Sequence, residues 1–131
     1  MEIVSTKLMG GLGNMMFQIA ATYSISLRDE KQMICDITDI QSPHKPYTIY
    51  IDNIFRNIKF LDNLVNLKHI GEGGFHYTLI PKIEGDVKLI GHFQNEKYFI
   101  NHRNELLKLF EIDDKTKNYL LEKYENILNQ D

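Results

Sequence analysis

Tryptophan is absent from this 131-residue chain, cysteine occurs once, proline three times, and arginine only at Arg28, Arg56 and Arg103. With Cys35 as the single cysteine, an intrachain disulfide and a zinc site built on several thiolates are both excluded, and a reducing, cytoplasmic setting fits best. The start, MEIVSTKLMGG, lacks a basic segment followed by an apolar stretch, and no run approaches the ~18 apolar residues of a spanning helix. Neither a targeting signal nor a membrane span is expected. No Asn-x-Ser/Thr acceptor sequence occurs either. Charge of one sign is nowhere concentrated: 15 Lys+Arg are interspersed among 18 Asp+Glu, for a formal net charge of -3. A chain without a basic stripe is not expected to bind nucleic acid, where phosphate neutralisation supplies most of the affinity. The scarcity of arginine also leaves few candidates for a bidentate clamp on phosphate.

What is present reads as one soluble α/β domain, with 43% hydrophobic and 25% charged residues. Ile3, Val4 and Leu8 belong to a β-prone run that ends at "MGGLGN". Beyond it Met16, Ile19, Ala20, Tyr23 and Leu27 recur at three- and four-residue steps, the spacing of one helical face, and the helix should end near "RDEK". "QMICDI" then predicts a second strand, apolar enough to be buried in a parallel sheet, followed by a loop over Thr38–Tyr47. Strand, helix and strand make a right-handed βαβ unit. Short strands and turns are expected over 48–70, and one strand around Phe75–Leu79. "DVKLIGHF" predicts a further strand. A helix after it carries the stripe Phe99, His102, Leu106, Leu107 and Phe110, with Asn95 as N-cap. A last helix from about Asp114 should bury Leu120, Leu121, Tyr124, Ile127 and Leu128.

Three glycines and an asparagine between a strand and a helix suit anion binding. The first N–H groups of a helix lack internal partners, the peptide dipoles leave partial positive charge there, and glycine removes the Cβ that would hold a phosphate away. Gly10, Gly11, Gly13 and Asn14 are therefore candidates to touch a nucleotide or nucleotide sugar. The alternative is that the glycines only supply positive φ and that Asn14 only caps the helix. A dinucleotide fingerprint is matched in part, with Gly11, Gly13 and Asp36 as the ribose-binding acid, but Met16 stands where the third glycine belongs.

"MGGLGNMMFQIAA" resembles the N-terminal signature of the family 11 glycosyltransferases, the α-1,2-fucosyltransferases. "LIGHFQNEKYFINHRNELLKLFEI", about eighty residues on, is similar to a second segment of that family, and the two occur in the family's order. The resemblance implies the N-terminal Rossmann-like lobe of a two-lobed, GT-B-like enzyme, with a mostly parallel sheet flanked by helices. It implies fucose transfer from GDP-fucose to the 2-hydroxyl of a galactoside, with inversion, no required metal and no cofactor beyond the donor. Carried over residue by residue, Gly11, Leu12, Gly13 and Asn14 match the turn that would approach the donor's phosphates or fucose. His92 and Gln94, at the end of a strand, are candidates for the acceptor cleft, with His92 also readable as a polar residue that merely ends the strand.

The chain also departs from the family. Met15 replaces a usual glutamine, Ile19 a usual tyrosine and His92 another tyrosine. The family's His-x-Arg-Arg-Gly-Asp-Tyr segment, whose arginine would neutralise the diphosphate, is not found. Only helix N-termini are left to stabilise the leaving group, so little or no transferase activity is expected of the chain alone. A separate C-terminal half is an implied partner. A non-catalytic glycan- or partner-binding module derived from the same lobe is the rival reading, and a nicotinamide-binding domain a third. Asp36 and Asp39, after the second strand, could supply a base, with Asp39 also readable as a turn residue. His44, His69, His76, His92 and His102 show no ligand spacing, so no metal site is expected. Tyr98 and Phe99 read as core anchors of their helix.

Overall fold

The computed structural model describes residues 1–41, 54–73, 76–111 and 114–128. Its centre is a six-stranded parallel sheet flanked by helices, the α/β class expected from the βαβ pattern. The strands are β1 (Ile3–Met9), β2 (Gln32–Met33), β3 (Cys35–Gln41), β4 (Phe60–Leu61), β5 (Lys68–Gly71) and β6 (Val87–Ile90); the helices are α1 (Leu12–Arg28), α2 (Arg103–Leu109) and α3 (Asp114–Leu128). The order across the sheet is β4-β3-β1-β6-β5, with β2 also paired to β1. Every pairing is parallel.

β1 is the central strand, and its burial shows why the run IVSTKLM folds as it does. Val4, Ser5, Thr6 and Leu8 are all buried, as they must be in a strand covered on both faces. Val4 and Leu8 meet α1: Leu8 packs with Met15, Ile19 and Ala20, Val4 with Ala21 and Ile25. The other face is polar. Ser5 pairs in register with Lys88 and Lys7 with Asp36, so the long Lys88 side chain reaches across β1 to Asp36 on the far neighbour, closing an ion pair at 2.5 Å. Asp36 is buried and Lys88 is half-buried.

The second strand is interrupted and longer than predicted. β2 pairs with the start of β1 (Ile3 with Gln32), Ile34 N–H donates to Val4 O, and β3 continues beside Lys7 and Met9. Thr38–Gln41, expected in a loop, belong to β3, because their backbone finds a ladder on β1 despite the turn-forming side chains. Asp39 is thereby a strand residue rather than a turn residue; positions 42–47 of the expected loop lie outside the described residues. The strand expected around Phe75–Leu79 does not form over His76–Leu79, and Phe75 lies outside the described residues. There Thr78 N–H bonds to the Tyr98 hydroxyl instead of to a ladder.

α1 buries more of its surface than one stripe. Met15, Gln18, Ala21, Thr22 and Ile25 join the expected Ile19 and Ala20, whereas Leu27 is exposed. Its C-terminus closes through Asp29 N–H and Lys31 N–H, which reach Ile25 O and Ser26 O, with Glu30 in the left-handed region. Lys31, buried, donates to the carbonyls of Ile83 and Gly85 and pairs with Glu2, anchoring the loop before β6.

After β6 the expected long helix is broken. Two 3-10 turns, Glu96–Tyr98 and Ile100–His102, precede α2, and Asn95 caps the first, accepting from Lys97 N–H at 2.9 Å. Leu106 and Leu109 are the buried positions of α2; Leu107, expected in the stripe, is exposed. His102 leaves the stripe to bond Ser24 of α1 at 2.5 Å. In α3 the expected buried Leu121 is exposed, while the side chains of Leu120, Tyr124, Ile127 and Leu128 lie outside the described residues. Among the described residues no helix is long and apolar enough to cross a membrane.

Candidate functional site

Because all strands run the same way, the carboxyl ends of β1, β5 and β6 meet at one edge of the sheet. β1 leads through α1 to one side, β6 arrives from β5 on the other, and the boundary between them is the switch point where open α/β sheets form a crevice. Both motifs singled out in the sequence end there: Gly10–Asn14 after β1, and Gly91–Gln94 after β6.

The three glycines of the first motif do different things. Gly10 has φ +81°, and a Cβ built on it would stand 2.5 Å from Asn14 Nδ2, so the fold itself demands glycine there. Cβ atoms on Gly11 and Gly13 would meet nothing within 4 Å, and neither backbone is in the left-handed region. Nothing within the fold requires glycine at these two positions. They leave the backbone open to whatever approaches from solvent.

Gly11 is the N-cap of α1, with no side-chain cap and no acid in the first turn. The first helical N–H to find an acceptor is that of Met15, on Gly11 O at 3.0 Å. The N–H groups of Leu12, Gly13 and Asn14 thus carry the partial positive charge of a 17-residue helix without intrahelical partners. The capping role considered for Asn14 does not hold. Its Oδ1 accepts from Gln94 Nε2 at 2.5 Å, turning the side chain toward the β6 end. Its Nδ2 has no acceptor among the described residues. The two motifs, 80 residues apart, are joined by this bond.

The turn after β6 is held under strain. Phe93 has φ +52°, a conformation that costs a non-glycine residue about 1–3 kcal/mol and persists only where the surroundings fix it. Here they do: the ring is buried edge-on against Tyr98 at 5.1 Å, and Phe93 N–H donates to Glu72 Oε1 at 3.2 Å. Glu72 lies so close that a Cβ on Gly91 would come within 2.6 Å of its own Cβ. The buried Phe93 leaves its neighbours His92 and Gln94 exposed at the crevice edge. Tyr98 anchors the core as expected, and Phe99 is half-buried against Phe17 at 6.1 Å.

The pattern reading missed Gln18. Fully buried in α1, its Oε1 accepts from Met9 N–H at 3.0 Å and its Nε2 donates to Met9 O at 3.2 Å. The side-chain amide thus serves as a strand partner for the last residue of β1 and sets the direction in which the chain enters Gly10. A polar residue amid the buried positions of an apolar helix was the available signal, because such a group must find partners. Glu72 and Phe93 left no comparable signal.

Other candidates fall away. Asp36 is not at a strand end: it pairs with Lys7 inside β3, is buried, and is held by Lys88. It is placed neither for a base nor for a ribose, which removes the acid from the dinucleotide fingerprint. The side chain of Asp39 lies outside the described residues, as does His44. Arg28, at the opposite edge of the sheet, forks onto Asp29 and donates to Ile80 O; the Asp29 hydrogen bond raises its pKa further. Arg56 is exposed in the turn before β4. Arg103 lines a groove that also touches Gly13. Cys35 is buried beneath α1, and burial, with Asp36 adding to it, pushes its thiol up to about 12. It is no nucleophile.

The chain is 29% identical over 135 residues to an alpha-1,2-colitosyltransferase of Escherichia coli, a match covering 84% of this chain and 45% of that protein. The similarity supports a glycosyltransferase relationship, and the chain spans less than half the length of that relative. No family model matches, and no solved structure matches.

Proposed function

We propose that the chain is the N-terminal lobe of a family 11, fucosyltransferase-like glycosyltransferase, and that Gly11–Asn14 meet the donor of a reaction that transfers fucose from GDP-fucose to the 2-hydroxyl of a galactoside. The observation that carries this reading is the Asn14–Gln94 bond, which brings both family-like segments to the switch-point crevice. The relative's printed linkage, alpha-1,2, is the one that attack by a 2-hydroxyl produces. In this reading the free N–H groups at the start of α1 bind diphosphate oxygens or a sugar hydroxyl, and Asn14 Nδ2 donates a further bond. His92 and Gln94 face the acceptor. The main stabilisation of the leaving diphosphate comes from a second half bearing the arginine segment, because helix N-termini alone offer only part of the charge needed. No metal takes part.

The test is a chimera in which this chain replaces the matched part of the colitosyltransferase, assayed for glycosyl transfer to a galactoside. GDP-fucose and the corresponding colitose ester are the two donors. Transfer from GDP-fucose, reduced tenfold or more by Asn14→Ala, is expected, since a hydrogen bond to a charged group contributes about 1.5–3 kcal/mol. A folded chimera that neither binds nor turns over either donor sinks the proposal. Galactoside binding without donor binding would instead favour a non-catalytic module.

A further inference from the structure

Glu72 follows the last residue of β5, and its N–H donates to Ile90 O at 2.9 Å, which fixes its backbone to the end of β6. Its half-buried side chain folds across Gly91: a Cβ built there would stand 2.6 Å from Glu72 Cβ and 3.3 Å from Oε1. Gly91 is not in the left-handed region, so its own backbone does not call for glycine. The space it leaves is used by Glu72. From that space Oε1 accepts the N–H of Phe93 at 3.2 Å, one residue before Gln94. An extended residue at 93 would prolong β6; with φ +52° the chain turns at once, Asn95 N–H closes onto Phe93 O at 2.9 Å, and the Gln94 side chain reaches Asn14. A hydrogen bond to a carboxylate and the strain of a left-handed φ are of the same order, so this bond is large enough to decide which backbone Phe93 adopts.

We infer that Glu72 is a positioning residue of the crevice: through the Phe93 backbone it holds Gln94 where Gln94 can donate to Asn14. Glu72 bonds neither of those two amides among the described residues, so it acts only through the turn. Gly91 serves the same end by leaving room for the carboxylate. As a statement about catalysis the inference rests on the function proposed above; as a statement about geometry it does not.

NMR signals of the side-chain amides in the isotope-labelled full chain test the geometry. Asn14→Ala gives the position of the Gln94 amide signal once its acceptor is gone. Glu72→Ala should move the signal there, Gly91→Ala should do the same by crowding Glu72 out, and Glu72→Gln, which keeps an acceptor of equal reach, should leave it in place. A Gln94 signal unmoved in either alanine variant overturns the inference in favour of a turn fixed by the buried Phe93 ring, as does a Gln variant that behaves like the alanine ones. Loss of the β1 and α1 backbone signals in those variants overturns it in favour of a purely structural Glu72. In the chimera, Glu72→Ala should lower kcat/KM for the galactoside about tenfold or more, the scale of a misplaced active-site group. In a Gln94→Ala background the same change should cost less than about threefold, because residues acting through one contact are not additive. Losses that simply multiply overturn the positioning role. An unmutated chimera without transfer sinks the proposed reaction and leaves the amide test standing.

Discussion

Asn14 Oδ1 accepts from Gln94 Nε2 at 2.5 Å across 80 residues of sequence. Asn14 lies directly over Gly10, and Gln94 follows the strained Phe93, so the bond couples two turns whose shapes are each fixed from within the core. Rigid supports beneath an exposed polar pair are what a preorganised site needs. The supports and the site can be separated by experiment.

The glycines should part company under substitution. Gly13→Ala introduces a better helix former into open space and should leave stability unchanged or raise it by up to about 1 kcal/mol. Gly10→Ala forces a methyl against Asn14 in a left-handed backbone and should cost about 1–3 kcal/mol. Urea unfolding of the two variants measures this. In the donor-competent chimera, Gly13→Ala should weaken nucleotide-sugar binding despite its stability; unchanged binding would argue that the open space at Gly13 serves no ligand.

Gln18→Leu removes both bonds to the half-buried Met9 backbone, for a loss of about 1–3 kcal/mol. Gln18→Glu behaves differently with pH. A protonated carboxyl can accept from Met9 N–H and donate to Met9 O, as the amide does, whereas a carboxylate can only accept. Burial raises the folded-state pKa of such a group above its unfolded value, so the unfolded chain releases the proton first and stability falls as pH rises. Unfolding curves of the Glu variant between about pH 4 and 8 should show that fall beyond any trend of the original chain. A flat difference would contradict the backbone-mimicking role.

Lys88→Met removes the ion-pair partner of the buried Asp36 carboxylate and should destabilise the fold by up to about 3–5 kcal/mol. Adding Asp36→Asn should recover part of that loss, because the variant then no longer holds a buried charge without its Lys88 partner. A double-mutant cycle by chemical denaturation gives the coupling; additive single effects would show that the two groups do not depend on each other.

Cys35 should resist alkylating and disulfide reagents in the folded chain and react fully once the chain is unfolded. Its thiol is raised to about 12, from an ordinary value near 9, by burial and by Asp36. Above pH 9 the unfolded chain loses the thiol proton and the folded chain keeps it, so this group's contribution to stability declines as pH rises toward 12. Labelling under native and denaturing conditions, and melting temperatures of the chain and of Cys35→Ala from neutral to alkaline pH, check both statements. The variant should show a shallower alkaline decline.

Much of the architecture was legible because it rests on local chemistry. β-prone Ile3–Leu8, the glycines that stop it, and the three- and four-residue period that follows are nearest-neighbour signals, and β1 and α1 form where they predict. The capping of Asn95 is equally local. The pattern was less informative where distant partners decide. Thr38–Gln41 have loop-like side chains yet extend β3 because β1 offers hydrogen bonds. His76–Leu79 look strand-like yet stay irregular, with the Tyr98 hydroxyl taking the Thr78 N–H. The helix expected after Asn95 divides into 3-10 turns that keep Tyr98 buried against Phe93 and Tyr77.

By itself the sequence determined the α/β class and the two segments at which a ligand site should be sought, since glycine content, residue order and periodicity are properties of the chain alone. Only the tertiary structure decided that Gly10 serves the fold while Gly11 and Gly13 leave space, that Asn14 turns to Gln94 instead of capping its helix, and that Asp36 is tied to Lys88. Each of these depends on which side chain reaches which atom across the sheet. That distance is set by strand order and register, and no local pattern carries it.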